Sequence, residues 1–190
     1  YRIFIYEEGN KNMTHEINYK KVQIIDSDLT FEKIYEKKYI PSEYLDEIKK
    51  ANLLIVPNEN FRKKGDVLFP ETTREFFEYI QDHPNDEIVA DIAISDDNFQ
   101  RIELHSAVIE VATIIVNVVV LPVAINMISN YLYDLIKKYH RKPEDTSARL
   151  KIISEETKTK KTKIISYEGP VSEVKETLEI ATKEIFSEDK

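Results

Sequence analysis

The pattern of hydrophobic and polar positions predicts alternating strands and helices in the first half of the chain. Short apolar or alternating runs, which are typical of strands, lie at 2–6, 21–25, 53–56 and 87–95. Segments with apolar residues at helical spacing lie between them, at 29–38, 42–50 and 71–81. This alternation is typical of an α/β unit, to which we assign residues 1–98.

The second half predicts longer elements. Two long apolar helices are expected at about 99–120 and 123–139, with a break at Pro122. A β-hairpin over 149–154 and 160–167 and an amphipathic last helix follow a polar linker. We therefore predict an α/β fold, with α+β as the alternative class. Its parts are an α/β unit (1–98), a hydrophobic helical segment (99–139) and a β-hairpin-helix module (149–190).

Residues 107–128 are far more hydrophobic than the chain as a whole, whose mean hydropathy is −0.43. As a helix, this segment would span about 33 Å, which is enough to cross a bilayer core. The basic residues that follow it would place the C-terminal part in the cytoplasm. Glu110, Asn117 and Pro122 interrupt the run, however, and its β-branched residues equally suit a buried strand or core helix. Both interpretations stay open.

If this segment is an interface with a membrane, a partner or a second copy, its large apolar side chains would make the contact. These are Val111, Ile114, Ile115, Val118, Leu121, Ile125 and Ile128.

The amino-acid composition excludes several kinds of functional site. The 190 residues include no Cys and only 3 Gly. Disulfides, thiolate metal sites and Cys nucleophiles are therefore excluded. The sequence also contains neither a GxGxxG nor a GxxxxGK[ST] phosphate-binding loop. No catalytic residue stands out, and we expect no cofactor.

The formal net charge of −8 is unevenly distributed, because residues 137–163 contain ten basic and four acidic side chains. Basic side chains in this band could bind phosphate or anionic headgroups, or could simply protect a strand edge against aggregation. The candidates for an anionic ligand are Lys137, Lys138, Arg141, Lys142, Lys160, Lys161 and Lys163. The acidic balance of the whole chain argues against nucleic acid as a partner.

Carboxylates gather near the end of the predicted strand at 87–95. Asp91, Asp96, Asp97 and Glu103 could hold Mg²⁺ for phosphoryl transfer or nuclease chemistry. The sequence Asp96-Asp97-Asn98 is also typical of ordinary turns and helix caps. A metal site here is therefore one of two interpretations.

Residues 107–186 combine a hydrophobic stretch, a basic linker, two strands and an amphipathic helix. This order, and the segment 121–134 in particular, resembles small effector-associated components of bacterial conflict and anti-phage systems. The resemblance implies a non-enzymatic adaptor that accompanies a separate effector.

We therefore expect a bacterial protein without enzymatic activity that acts through assembly, by self-association or with a partner protein. A cytoplasmic location is expected, with membrane association as an open alternative. The alternative function is a small metal-dependent phosphohydrolase or nuclease that uses the carboxylates between 91 and 103. The chain begins with Tyr1 and not with Met, so the sequence leaves open whether an N-terminal piece is missing.

Overall fold

The computed structural model describes residues 20–59, 66–102 and 107–187, and the strand predicted at 2–6 lies outside them. The strands are β1 (Lys21–Ser27), β2 (Leu53–Val56), β3 (Asn58–Glu59), β4 (Val67–Pro70), β5 (Ala90–Ile92), β6 (Arg101–Ile102), β7 (Ile109–Glu110), β8 (Thr113–Asn117), β9 (Ser147–Glu155) and β10 (Thr162–Pro170). The helices are α1 (Phe31–Tyr35), α2 (Leu45–Ile48), α3 (Thr73–Asp82), α4 (Leu121–Lys138) and α5 (Val174–Ser187).

A mixed seven-stranded sheet in the order β1-β10-β9-β8-β2-β5 organises the chain, and β7 pairs alongside β9. The strands β1, β10 and β9 are antiparallel, whereas β8 is parallel to β9. A small sheet, β3-β4-β6, lies apart. The predicted α/β class is confirmed. The main sheet takes strands from all three of the predicted parts, 1–98, 99–139 and 149–190, so those parts share one sheet.

The prediction of a long helix at 99–120 is wrong, because the described residues of this range form the short strands β6 and β7 and the central strand β8. The strand β8 is buried on both faces and reads TIIVN, so it shows no polar alternation that could separate a strand from a helix. Its β-branched side chains favour the extended conformation. The second predicted long helix is confirmed as α4, which has Pro122 in its first turn, where proline is tolerated.

The C-terminal hairpin and last helix are confirmed as β9, β10 and α5. The helices predicted at 29–38 and 42–50 are present but shorter. Thr30 caps α1 by accepting the Lys33 N–H at 3.2 Å, and α1 ends after only five residues. Because α1 and α2 are short, they cover only part of the sheet.

One face of the sheet, called the closed face here, packs against α3, α4 and α5. Its buried side chains are Val22, Ile24, Leu53, Ile55, Ile114, Val116, Leu150, Ile152, Ile165 and Tyr167. The helix α4 alone buries ten side chains. Full burial of an aliphatic side chain contributes about 1.5–3 kcal/mol, so this layer is the main source of stability.

The opposite face, called the open face here, is covered only in part. Under α1 and α2 it is apolar, and Leu54, Ile115 and Ile153 pack against Ile34 and Ile48. Towards the start of β1 and β9 the side chains on this face become polar, and no helix covers them among the described residues. That uncovered half is where a ligand could reach the sheet.

Candidate functional site

Two rows of polar side chains cross the uncovered half of the open face. The charged row contains Lys21, Glu168, Arg149 and Glu110, which are paired in register across β1, β10, β9 and β7. The polar row contains Gln23, Ser166 and Lys151 on the same first three strands. Successive side chains of a strand point to opposite faces, so the residues between these positions enter the closed core.

The charged row contains two cations and two carboxylates, and both carboxylates share the Arg149 guanidinium. The Arg149 guanidinium donates twice to the Glu168 carboxylate, both at 3.1 Å, and once to Glu110. The hydrogen bond with Glu168 is the main cause that raises the pKa of Arg149. Only Lys21, at the end of the row, has no carboxylate within ion-pair distance among the described residues.

The polar row is not satisfied in this way. Within the part of the chain that the structure describes, the side chains of Gln23, Ser166 and Lys151 form no hydrogen bond or ion pair. Gln23 and Ser166 are half-buried and Lys151 is exposed. Together with Lys21, this row presents hydrogen-bond donors and one amide acceptor to a ligand bound above the sheet.

The two rows form the floor of a groove of about 590 Å³. At its inner end the groove is apolar, with Leu29, Ile34, Val56 and Ile153 in its lining. A volume of this size is typical of small-molecule sites.

Glu59, in the wall of the groove, has its partners inside the chain. It accepts hydrogen bonds from the Tyr39 hydroxyl at 3.1 Å and from the Lys37 ammonium at 3.0 Å. Burial and the neighbouring Glu59 raise the pKa of Tyr39. Tyr39 is therefore a neutral donor fixed on Glu59.

The side chains predicted for an interface or membrane are mostly in the core. Val111, Ile114, Ile115, Leu121, Ile125 and Ile128 are each at most 5% exposed. Val118 is half-buried, in the turn before α4. The structure therefore places this set inside the chain, and only Val118 retains appreciable exposure.

Among the described residues, one helical segment is long and apolar enough to cross a membrane by length and composition alone. It is Val118–Lys138, whose most apolar window of 18 residues has a mean hydropathy of 1.4. Of its most apolar window, 61% is buried inside the chain. Most of this window is therefore buried by packing inside the chain.

The basic residues proposed for an anionic ligand lie in two separate places. Lys137 and Lys138 end α4, and Arg141 and Lys142 follow it before β9. Lys160 and Lys161 lie in the hairpin turn after β9, and Lys163 pairs with Ser154 near the start of β10. A nine-residue strand such as β9 is about 30 Å long. The structure therefore does not join these groups into one site.

Several of these cations already have carboxylate partners. Lys138 lies 2.7 Å from Glu75, and Lys160 lies 3.2 Å from Glu32. Lys163 lies 3.9 Å from Asp26. Ion pairs within the chain thus use much of the positive charge that the sequence places in this band.

Two of the four predicted metal ligands have described side chains. Asp91, in β5, is half-buried and accepts the Ile92 N–H at 2.7 Å, and burial raises its pKa. Asp97 is exposed in a 3₁₀ turn, while Glu103 and the side chain of Asp96 lie outside the description. The described residues contain no group of three or more His, Asp or Glu that could hold a metal ion.

The groove residues were not predicted as a site. They come from three segments around 21–23, 149–151 and 166–168, which only the strand order brings together. One signal was available, because Lys21, Gln23, Arg149 and Lys151 alternate with apolar residues. Such alternation predicts a sheet face that is not fully buried.

No protein-family model, curated protein or solved structure matches the chain. Function is therefore inferred from the groove and its chemistry.

Proposed function

We propose that the protein is a non-enzymatic adaptor that holds part of a partner molecule in the groove on the open face. The observation that carries this proposal is the polar row, whose side chains have no partner among the described residues although they line a 590 Å³ cavity. Rigid strands position these side chains, which favours binding because little order has to be gained when a ligand arrives.

The chemistry of the groove supports binding over catalysis. Ser166 is the hydroxyl on its floor, and none of the described His or carboxylate side chains hydrogen-bonds to it to act as a base. The nearby carboxylates of Glu59, Glu110 and Glu168 are already engaged by cations of the chain. An activated nucleophile or a free general base is thus missing from the described part of the groove.

The resemblance of residues 107–186 to effector-associated bacterial components supports an adaptor role in an anti-phage system. The segment 107–128 supplies mainly core residues, so we assign partner contact to the groove, to which this segment contributes Glu110. Assembly would then depend on polar side chains of β1, β9 and β10.

The test uses small amphipathic probes and amide chemical-shift mapping of the intact chain. We expect shifts at Gln23, Lys151 and Ser166, and their loss in Ser166→Trp, which fills the groove. The matched control is Ser172→Trp, at an exposed position before α5. Probes that bind elsewhere, or that bind Ser166→Trp unchanged, would contradict the proposal.

Two further measurements separate the adaptor from the alternative enzyme. An adaptor should show no change in thermal melting with Mg²⁺ or Mn²⁺ and no hydrolysis of nucleotides or nucleic acid. Metal-dependent hydrolysis that Asp91→Ala abolishes would overturn the proposal and support the alternative hypothesis of a phosphohydrolase or nuclease.

A further inference from the structure

We infer that the groove binds the C-terminal carboxylate of a polypeptide whose last side chain is aliphatic. This inference rests on the proposed function and names the chemistry that the groove would recognise. It is carried by three features of the groove: its unpaired charge, the positions of its donors and its apolar inner end.

Among the described residues, the charged side chains of the groove that lack an ion pair are cations. The lining contains three cations and three carboxylates, of which Glu59 pairs with Lys37 at 3.0 Å, while Glu110 and Glu168 share Arg149. By contrast, neither Lys21 nor Lys151 has an ion pair among the described residues. An anion is therefore favoured by these two ammonium groups, and not by a net positive charge of the lining.

The free donors surround one place on the sheet. Ser166 lies on β10, directly between Gln23 of β1 and Lys151 of β9 in the register. Lys21 is two residues from Gln23 on the same face, so its Cα and that of Lys151 are about 12 Å apart from strand spacing and rise. The flexible four-carbon stems allow both ammonium groups to approach an anion held above Ser166.

The neighbouring carboxylates favour a singly charged anion. Glu110 and Glu168 lie in the adjacent row and would repel a phosphate dianion more strongly than a carboxylate. A carboxylate accepts hydrogen bonds with both oxygens, which matches two ammonium groups and a hydroxyl.

The inner end of the groove indicates what the carboxylate is attached to. Ile34, Val56 and Ile153 are buried there and Leu29 is half-buried, so an aliphatic side chain can leave water by packing against Leu29. Gln23 adds a donor and an acceptor that a peptide amide can use and that a simple fatty acid cannot. A polypeptide C-terminus combines all three groups.

The experiment measures binding of acetyl-Ala-Ala-Leu by calorimetry and compares it with the same peptide as a C-terminal amide. Hexanoate and inorganic phosphate are the other probes. We expect the acid to bind at least about tenfold more tightly than the amide, since charge-assisted hydrogen bonds are lost in the amide. Hexanoate should bind more weakly than the acid, and phosphate more weakly still.

The variant pair Lys21→Met and Lys151→Met, made together, should bind acid and amide equally. Lys175→Met is the matched control, because Lys175 is an exposed residue of α5. Circular dichroism checks that the double variant is folded, and Ser166→Ala gives a second, smaller loss of acid binding. An acid that binds no better than the amide, or phosphate that binds best, would overturn the inference.

Failure of this inference is distinguishable from failure of the proposed function. If no peptide acid binds while the amphipathic probes still map to the groove, the adaptor proposal stands and the carboxylate inference falls. If hexanoate binds as tightly as the peptide, the groove recognises a free acid and the inference is also wrong.

Discussion

The two faces of the main sheet use the same strands in opposite ways. On the closed face, Val22, Leu150, Ile152 and Tyr167 are buried under helices. On the open face, the residues between them, such as Gln23 and Lys151, line a groove and remain without partners among the described residues. Strand periodicity thus places stability and candidate binding on adjacent residues, so neighbouring substitutions should have very different effects.

The sharpest test of this difference is a pair of neighbouring residues on β9. Ile152 is fully buried on the closed face, whereas Lys151 is exposed on the open face. Ile152→Ala should lower the free energy of unfolding by about 2–5 kcal/mol, because it leaves a cavity. Lys151→Ala should change it by about 0.5 kcal/mol or less.

Chemical denaturation followed by circular dichroism measures both values, since the chain has no Trp to report by fluorescence. If Ile152→Ala does not fold, Ile152→Val should still cost about 0.5–1.5 kcal/mol. Similar losses for both residues would contradict the separation of the faces.

The open face also contains one buried charge, which should matter more than its exposed neighbours. The Glu155 carboxylate accepts the Phe31 N–H at 2.6 Å and lies 3.5 Å from Lys160, with only 4% of the side chain exposed. Glu155→Ala leaves the Phe31 N–H without its acceptor, so we expect a loss of about 1–3 kcal/mol.

Glu32→Ala is the matched control for that substitution. Glu32 pairs with the same Lys160 at 3.2 Å, but 69% of its side chain is exposed. Its removal should cost less than about 1 kcal/mol, because exposed ion pairs contribute little. Urea denaturation compares the two, and a loss for Glu32→Ala as large as that for Glu155→Ala would refute the assigned role of burial.

Much of the fold is predictable where an element carries its own local signal. The apolar run LLIV at 53–56 is the strand β2, and the spacing of apolar residues in 171–185 marks the last helix, α5. The hairpin is predictable because polar and apolar residues alternate over Arg149–Ile152, although both strands also contain an adjacent pair of isoleucines. In LLIV the shortness of the apolar run and the Pro57 that follows it indicate a strand, whereas in α5 the helical spacing decides the structure.

The segment 99–120 could not be assigned from its pattern alone. In Thr113–Asn117, side chains on both faces are buried, so hydrophobicity shows neither a period of two nor one of 3.6. The groove was missed for a different reason. Lys21, Arg149 and Glu168 become neighbours only through the order β1-β10-β9, which is a long-range property of the fold.

A smaller effect is expected within the charged row itself. Arg149→Lys keeps the charge but loses the paired hydrogen bonds to Glu168. Because Arg149 is half exposed, stability should fall by about 1 kcal/mol or less at low salt, and the difference should shrink at high salt. The control is Arg141→Lys, at an exposed site after α4, and a loss that salt does not reduce would contradict this account.

The smallest expected effect is a gain of stability. Asp91 lies on the open face opposite Leu54, and burial raises its pKa above the ordinary value of 3.8. The folded state therefore holds this proton more tightly than the unfolded state, and stability is lost as the pH rises from about 3.9 through the raised pKa. Asp91→Asn keeps an acceptor for the Ile92 N–H and should be slightly more stable than the parent chain at neutral pH.

Melting temperatures measured from pH 3 to pH 8 test this sign, with Asp97→Asn as the exposed control. The parent chain and Asp91→Asn should have the same melting temperature at the acid end, where Asp91 is protonated in both the folded and the unfolded state. Their melting temperatures should diverge as the pH rises. If Asp91→Asn is instead less stable at neutral pH, and Mg²⁺ raises the melting temperature of the parent chain only, the charge of Asp91 has a ligand. The open face would then hold a cation near β5, and the groove at its other end would no longer be the strongest candidate site.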